Sequence, residues 1–263
     1  MNSSYSIGPS LVGGALSGLS VDAILFPIDT IKTRIQSEHG FLKSGGVSRL
    51  YAGIGPLLMG SMPSSATFFL TYEYVRTRGN VSEMLAMNML AASLGEITSC
   101  VVRVPCELIK QRAQANSLTS SWRVLKTVIR EGGYKCLYRG YTATVTREVP
   151  FSLVQYPLWE YLKRLVRGEG DKLAVWQSAT VGAVAGGIAA AVTTPIDVAK
   201  TRIMLSNNTI GVYTVLINIY KHDGYRALLA GLGPRALQIS LGGAIFLGIY
   251  DQSTYWARMF LHG

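Results

Sequence analysis

Charged residues are scarce in this sequence: Asp, Glu, Lys and Arg make up 15% of its 263 residues, whereas apolar residues make up 49%. Acids are the scarcer sign, with 15 against 25 Lys and Arg, so the formal net charge is +10. A soluble domain carries about 25% charged residues, and the shortage favours a membrane protein. The basic residues are scattered through apolar segments, which argues against a nucleic-acid partner, because a nucleic-acid-binding face clusters them.

Cysteine and histidine are also scarce, with three of each. The cysteines, Cys100, Cys106 and Cys136, form no CxxC pair and are odd in number, which argues against a disulfide framework or a zinc site. The histidines fall in connecting segments or the tail, and no nucleophile stands beside a base. We therefore predict no metal, no cofactor and no catalytic residue, and an enzyme is disfavoured.

One charged segment with a proline recurs three times. The pattern P-x-[DE]-x-x-K-x-R begins at Pro27, Pro105 and Pro195. Each repeat is too long for one helix pair of a soluble solenoid but fits two membrane helices and a connector. We divide the chain into three repeats, residues 1–80, 81–168 and 169–263.

Each repeat holds two apolar segments longer than the roughly 20 residues that cross a bilayer. The predicted spans are residues 8–36, 55–77, 84–114, 140–166, 173–204 and 233–258. The predicted fold is an all-α membrane protein, with six transmembrane helices in three pseudo-symmetric two-helix repeats around a central cavity. Short surface helices join the spans, the clearest being Ser120 to Glu131, with an apolar stripe of Trp122, Leu125, Val128 and Ile129. Turns with Gly53, Gly140 and Gly231 lead into the even spans.

Charges at membrane depth are costly and require partners. In each proline motif the acid and the lysine are three residues apart, on one helical face. Each acid can pair with its own lysine, or the three helices can ring an axis and pair each acid with another helix's lysine. The second arrangement closes a plug across a cavity, and a proline kink would bring the helix ends toward the axis. The even spans carry an aromatic–acid–x–x–base motif at Tyr72, Trp159 and Tyr250, whose third copy ends on Thr254.

These motifs resemble those of the mitochondrial carrier family over essentially the whole chain. The resemblance implies a multi-pass transporter of the inner mitochondrial membrane, with surface helices on the matrix side. One chain holds all three repeats and needs no second copy to close a pathway, so we expect a monomer. The resemblance also implies that the proline motif forms a matrix gate and the aromatic–acid motif a cytoplasmic gate. The implied matrix gate consists of Asp29, Lys32, Gln36, Glu107, Lys110, Gln114, Asp197 and Lys200. The implied cytoplasmic gate consists of Tyr72, Glu73, Arg76, Glu160, Lys163, Tyr250 and Asp251.

Within these gates the resemblance implies specific partners. The matrix pairs are Asp29 with Lys110, Glu107 with Lys200, and Lys32 with Asp197, and the cytoplasmic pairs are Glu73 with Lys163 and Arg76 with Asp251. A glutamine four residues after the lysine braces the matrix network in the family; Gln36 and Gln114 match, and Met204 does not. Glu160 would face Thr254 without a basic partner. We therefore expect the matrix gate to be stronger and the unliganded carrier to rest open toward the cytoplasm.

Substrate contacts in the family lie about thirteen residues before the acid of the second motif. The corresponding residues are Gly60, Arg147 with Glu148, and Gln238, Ile239 and Ser240. On the odd helices, Asp22, Glu96 and Arg103 fall near the cavity-facing side. An adjacent Arg and Glu suit the two ends of an amino acid. For Arg103, a local pair with Glu107 is the competing interpretation.

The excess of acids in the cavity favours a ligand with more positive than negative charge. The run from Arg147 to Glu160 resembles the branch of the family that carries S-adenosylmethionine. That resemblance implies import of S-adenosylmethionine into the matrix in exchange for S-adenosylhomocysteine, by alternating access. The open alternative is a carrier for another cationic amino-acid-like or adenine-containing metabolite. Membrane lipid, with cardiolipin as one candidate, is the remaining expected partner.

Overall fold

A computed structural model describes residues 7–78, 84–116, 119–167, 175–206, 210–242 and 245. These residues are helical or in turns and contain no strand. Five of the long helices are α1 Ile7–Gln36, α3 Ile54–Arg76, α4 Met84–Ala115, α6 Tyr141–Arg167 and α7 Val175–Leu205. A last long helix, α10, begins at residue 232 and is described to residue 242. The shorter helices are α2 Gly40–Lys43, α5 Ser121–Gly132, a 3-10 helix Tyr134–Tyr138, α8 Val212–Asp223 and α9 Tyr225–Leu228.

The long helices coincide with the six predicted apolar segments to within two residues at every described end. Two of them, over Met87–Ala115 and Gln177–Leu205, are long and apolar enough to count as candidate membrane spans. Among the others, α6 carries Arg147 and Glu148 in its interior, which lowers its mean hydropathy. The all-helical architecture is thus observed in the described residues, whereas the arrangement of six spans remains a prediction.

The odd helices are the first long helices of the three repeats, α1, α4 and α7, and the even helices are the second, α3, α6 and α10. The three odd helices contact one another, and each is continuous through its motif proline, Pro27, Pro105 or Pro195. Within each repeat a second contact joins the odd and even helices, as between α1 and α3 and between α4 and α6. The next helix along also packs closely, α3 on α4 and α6 on α7. This pattern brings the motif ends of the three odd helices to one place.

Three glycines with positive φ start the even helices. Gly53, Gly140 and Gly231 have φ of 90°, 89° and 79°, a region that favours glycine. Each also lies against the next odd helix: a Cβ on Gly53 would be 2.8 Å from the Lys110 carbonyl oxygen, and one on Gly140 would be 2.8 Å from Met204 Cγ. The turns therefore fix how closely each repeat docks on its neighbour.

The surface helix α5 differs from its predicted stripe. Val124 and Val128 form the buried face and pack on Leu108 and Ala113 of α4, whereas Trp122 is 63% exposed. Val128 of the predicted stripe is thus buried against α4, whereas Trp122 is exposed, as a residue in contact with a membrane surface would be. Contact of the stripe with the membrane remains a prediction. The Trp122 ring lies 5.2 Å from the Lys126 ammonium, an arrangement suited to a membrane–water interface.

Candidate substrate cavity and ion-pair network

Three ion pairs join the motif ends of the odd helices, and they are the pairs that the resemblance implied. Lys110 Nζ lies 2.7 Å from Asp29 Oδ2, Lys200 Nζ lies 2.6 Å from Glu107 Oε1, and Lys32 Nζ lies 2.7 Å from Asp197 Oδ2. Pairing within one motif, the alternative that the sequence left open, is not observed. We call these three pairs the motif network. It links α1 to α4, α4 to α7 and α7 to α1.

Two of the pairs are braced by a threonine and a glutamine in series. Gln114 Nε2 donates to Asp29 Oδ2 at 3.0 Å, and Thr33 Oγ1 donates to Gln114 Oε1 at 3.0 Å. Gln36 Nε2 donates to Asp197 Oδ2 at 3.0 Å, and Thr201 Oγ1 donates to Gln36 Oε1 at 2.7 Å. The glutamine amide is thereby held in one orientation, and the carboxylate gains a donor besides its lysine.

The third pair has a different brace. Gln111 stands where the other motif copies have Thr33 and Thr201, and Met204 stands where they have glutamine. Gln111 Nε2 donates to Glu107 Oε1 at 3.0 Å, four residues back on its own helix. Met204 is buried against Cys100 and Val104. Gln111 therefore replaces both the threonine and the glutamine of the other two pairs. Glu107 accepts a hydrogen bond from it although position 204 has no glutamine.

The Gln111→Thr variant is expected to lose the third brace and to lower the free energy of unfolding by about 1–2 kcal/mol, because a buried hydrogen bond to a carboxylate is removed. In the double variant Gln111→Thr, Met204→Gln, the Thr–Gln series of the other two pairs can form, and stability should recover. Apparent melting temperature of the purified protein in detergent measures both effects.

The matching single variant Met204→Gln keeps Gln111 and tests the cost of burying an extra amide. Additive effects of the two substitutions, with no recovery in the double variant, would contradict this account of the third pair.

Asp197 is surrounded by more cations than the other two acids. Besides Lys32, it lies 3.7 Å from Arg235 Nη1 and 3.8 Å from Arg147 Nε. Arg235 on α10 is 2% exposed and also donates to Thr193 Oγ1 at 2.8 Å. Sequence reasoning missed Arg235 because its repeat counterparts, Leu57 and Thr144, are uncharged. The sequence feature that could have indicated Arg235 is a single arginine near the start of an apolar segment.

A polar cavity borders the motif network. It encloses about 130 Å³. Arg103, Arg147 and Glu148 line it together with Glu107 and Lys110 of the network. The cavity and the network therefore share a wall, and a ligand in the cavity can reach network residues directly.

A chain of ion pairs crosses this cavity. Arg103 Nη2 lies 3.0 Å from Glu96 Oε2 and 2.7 Å from Glu148 Oε1. Glu148 is also paired with Arg147, which reaches Asp197 in turn. Arg103 does not pair with Glu107, so the local interpretation of Arg103 is wrong. The sequence prediction that Glu96, Arg103, Arg147 and Glu148 lie together agrees with this geometry.

Gly60 and Ser61 line one edge of the cavity, and Asp22 contacts Ser61. Ser61 Oγ donates to Asp22 Oδ2 at 2.9 Å, a contact that the sequence did not suggest. Gly60 lines the cavity, and a Cβ there would lie 2.8 Å from Cys106 Cβ. Gly60 therefore also permits the close approach of α3 to α4.

The predicted contacts on α10 are not brought to this cavity. Ile239 is directed at α7, where a Cβ on Gly186 would lie 2.7 Å from Ile239 Cγ2. Gln238 is half-buried and Ser240 is exposed, and neither lines the cavity described above. Their placement at a substrate site remains a prediction, and packing against Gly186 explains the position of Ile239.

The cytoplasmic pairs implied for the even helices differ from what is observed. Glu73 and Arg76 are exposed, and Lys163 pairs with Glu160 on its own helix at 2.8 Å. The expectation that Glu160 lacks a basic partner is therefore wrong, and the pair of Glu73 with Lys163 is not formed. Lys163 pairs with the nearest acid on its own helix, since residues three apart share a helical face.

Tyr72 donates to Asn88 Oδ1 at 3.4 Å. Tyr250, Asp251 and Thr254 lie outside the described residues.

A helical bundle built from three repeats, with charges buried between the repeats and beside a polar cavity, defines a membrane transporter. The family model described as "Mitochondrial carrier protein" matches the chain at residues 3–80, 82–170 and 171–259. The chain belongs to the mitochondrial carrier family, whose members are transporters, and it is a multi-pass protein of the inner mitochondrial membrane.

Individual relatives are similar over almost their whole length. "Mitochondrial S-adenosylmethionine carrier protein" of Mus musculus is 50% identical over 254 residues, 93% of each chain. The protein of the same name from Xenopus laevis is 52% identical over 252 residues, 92% of this chain and 95% of that one. "Putative mitochondrial carrier protein PET8" of Saccharomyces cerevisiae is 44% identical over 260 residues, 92% of each chain.

Proposed function

We propose that this protein imports S-adenosylmethionine into the mitochondrial matrix in exchange for S-adenosylhomocysteine. The observation that carries the proposal is the identity of about half of all residues, over nearly the whole chain, with relatives named mitochondrial S-adenosylmethionine carriers. The cavity supplies independent support, because its charges suit that ligand.

The charge balance of the cavity complements S-adenosylmethionine. Glu107 and Glu148 of the wall, with Asp22 beside Ser61 and Glu96 beside Arg103, contribute four carboxylates. Arg103, Lys110 and Arg147 contribute three cations. The balance is one excess negative charge, and the ligand carries one excess positive charge from its sulfonium, ammonium and carboxylate. Arg147 suits the carboxylate, because a guanidinium binds carboxylates through two parallel hydrogen bonds. The acids suit the ammonium and the sulfonium.

Six membrane-spanning helices around this cavity, with the motif network as the matrix gate, form the architecture of the proposal. The closed motif network and the separated Glu73 and Lys163 correspond to a carrier open toward the cytoplasm. Tyr72, Glu73, Arg76, Glu160 and Lys163, with Tyr250 and Asp251, form the cytoplasmic gate when that side closes. Substrate in the cavity then shifts the population between the two states according to its differential affinity for them.

The contact between Arg147 and Asp197 gives the substrate a route to the matrix gate. A substrate carboxylate that engages Arg147 competes with Glu148 and Asp197 for the same guanidinium group. Asp197 then loses one of the cations that hold it in place, so that moving its carboxylate out of the motif network costs less. Substrate binding thereby favours opening of the matrix gate, and exchange requires that the gate open only with substrate bound.

The test is counter-exchange in liposomes that contain the purified protein and internal unlabelled S-adenosylmethionine. External labelled S-adenosylmethionine should enter rapidly, and entry should fall to background when the liposomes hold no substrate. Internal S-adenosylhomocysteine should support the same entry. Uptake of labelled ornithine or arginine with no uptake of S-adenosylmethionine would refute the proposal and favour a carrier of cationic amino acids, which the excess of acids in the cavity also suits.

The surface helices are proposed to contact lipid. Their exposed aromatic residues include Trp122, Tyr134, Tyr213, Tyr220 and Tyr225. Tyrosine and tryptophan concentrate at membrane interfaces. Cardiolipin is the candidate lipid, since its two phosphates complement the basic residues of these segments.

A further inference from the structure

A second cavity adjoins the charged one and differs from it in chemistry. It is lined by Phe68 and Phe69 of α3 and by Glu96 and Ser99 of α4, and it shares Ser64 and Arg103 with the first cavity. Two cavities with common walls can take the two ends of one ligand. The charged cavity suits an amino-acid end, and the second one has the features of a flat aromatic site.

The ring of Phe68 is held in place from two sides. It stacks on Tyr72, with ring centroids 6.0 Å apart and planes at 16°, and Tyr72 is itself tied to Asn88. It also lies against Gly95, where an added Cβ would be 3.0 Å from Phe68 Cδ2. Because Phe68 lines the cavity and its ring is held in place, the part of the ring that borders the cavity can stack on a base.

Glu96 offers an unshared acceptor at the same cavity. Its Oε2 accepts from Arg103 Nη2, and Oε1 has no hydrogen-bond partner among the described residues. The side chain lines the cavity and is 21% exposed, so it is accessible to a ligand. A carboxylate oxygen in this position favours a ligand with an N–H donor and disfavours one with a carbonyl oxygen there.

We infer that this second cavity is the purine subsite of the carrier, with the adenine ring on Phe68 and its exocyclic amino group donating to Glu96. The inference rests on the proposed function, because it places the nucleoside half of that substrate. Arg103 connects the two halves: it anchors Glu96 in the purine subsite and Glu148 in the charged cavity.

The test compares two inhibitors whose purines differ in the protonation of N1, which bears a hydrogen only in the inosyl compound, and in the group at position 6. S-adenosylhomocysteine carries an amino group there, and S-inosylhomocysteine carries a carbonyl oxygen. Each is titrated against the exchange of labelled S-adenosylmethionine in liposomes. The wild-type protein should bind the adenosyl compound about ten to a hundred times more tightly, since the inosyl compound sets an oxygen against the carboxylate.

In the variant Glu96→Gln the preference should fall to about threefold or less, because a rotated amide can accept from an amino group or donate to a carbonyl. Arg103 keeps Glu148 as its partner in this variant, so the cavity wall is retained. The matched control Glu148→Gln, also a carboxylate-to-amide change beside Arg103, should weaken both inhibitors equally and leave the preference intact.

Phe68 is tested separately. Phe68→Leu should weaken both inhibitors by about tenfold through lost stacking, and Phe68→Tyr, which keeps the ring, should not. An unchanged preference in Glu96→Gln, or full affinity in Phe68→Leu, would overturn the purine subsite while exchange of S-adenosylmethionine by the wild-type protein upholds the proposed function. Absence of that exchange would overturn both.

Discussion

Replacement of Asp197 by asparagine is expected to lower the free energy of unfolding by about 3–5 kcal/mol, the cost of breaking a buried ion pair by removing one partner. The change removes the negative charge shared by Lys32, Arg147 and Arg235, all of which are largely buried. The matched variant Asp29→Asn affects Lys110 and its glutamine brace alone. It should therefore cost clearly less.

Apparent melting temperature in detergent distinguishes the two variants, since about 2–4 °C corresponds to each kcal/mol in a protein of this size. Equal shifts for Asp197→Asn and Asp29→Asn would show that Arg147 and Arg235 do not depend on Asp197. A combined variant, Asp197→Asn with Arg235→Gln, removes one of the stranded cations. It should recover part of the loss.

Replacement of Arg147 by alanine is expected to slow exchange of S-adenosylmethionine at least a hundredfold. The change removes the proposed partner of the substrate carboxylate and one of the two guanidinium groups that hold Glu148, which is 5% exposed. Loss of one member of a buried charge pair costs about 2–5 kcal/mol. Lysine at this position should not restore the rate, because an ammonium cannot form the two parallel bonds of a guanidinium.

Arg123→Ala provides the control for this variant, since Arg123 is an exposed cation on the surface helix α5. It should leave exchange unchanged. Initial rates in liposomes at matched protein content give the comparison, and a near-normal rate in Arg147→Ala would remove this residue from the substrate site and from the route to the gate.

Much of the fold was predictable because membrane helices and a repeat leave strong marks in a sequence. The proline motif indicated the first helix of each repeat. The acids and lysines left two arrangements open, and the family resemblance implied the pairs of the motif network. The glycine turns were predictable for the same reason: a left-handed turn at Gly53, Gly140 and Gly231 allows little besides glycine.

Details that depend on exchanged roles between neighbouring residues were not predictable. Met204 signalled a missing brace, but nothing in one copy of the motif showed that Gln111 reaches back to Glu107. Arg103 had two acids within reach along its own helix, Glu96 and Glu107. It pairs with Glu96 and with Glu148 of another helix, and its sequence neighbours did not indicate Glu148. The apolar residues of α5 also left open which of them would pack on α4: Val124 and Val128 do, and Trp122 does not.

The three repeats also bear on how a ligand is oriented. Gly60 and Arg147 line the cavity from corresponding positions in the first two even helices, and Gln238 holds that position in the third without lining the cavity. One is apolar, one is cationic and one is a neutral amide. A ring of three identical side chains would offer an asymmetric metabolite three equivalent poses, a degeneracy worth about 0.6 kcal/mol in RT ln 3. Divergence of the repeats gives the sectors of the wall different chemistry, so that one rotational setting of the cargo about the bundle axis is preferred.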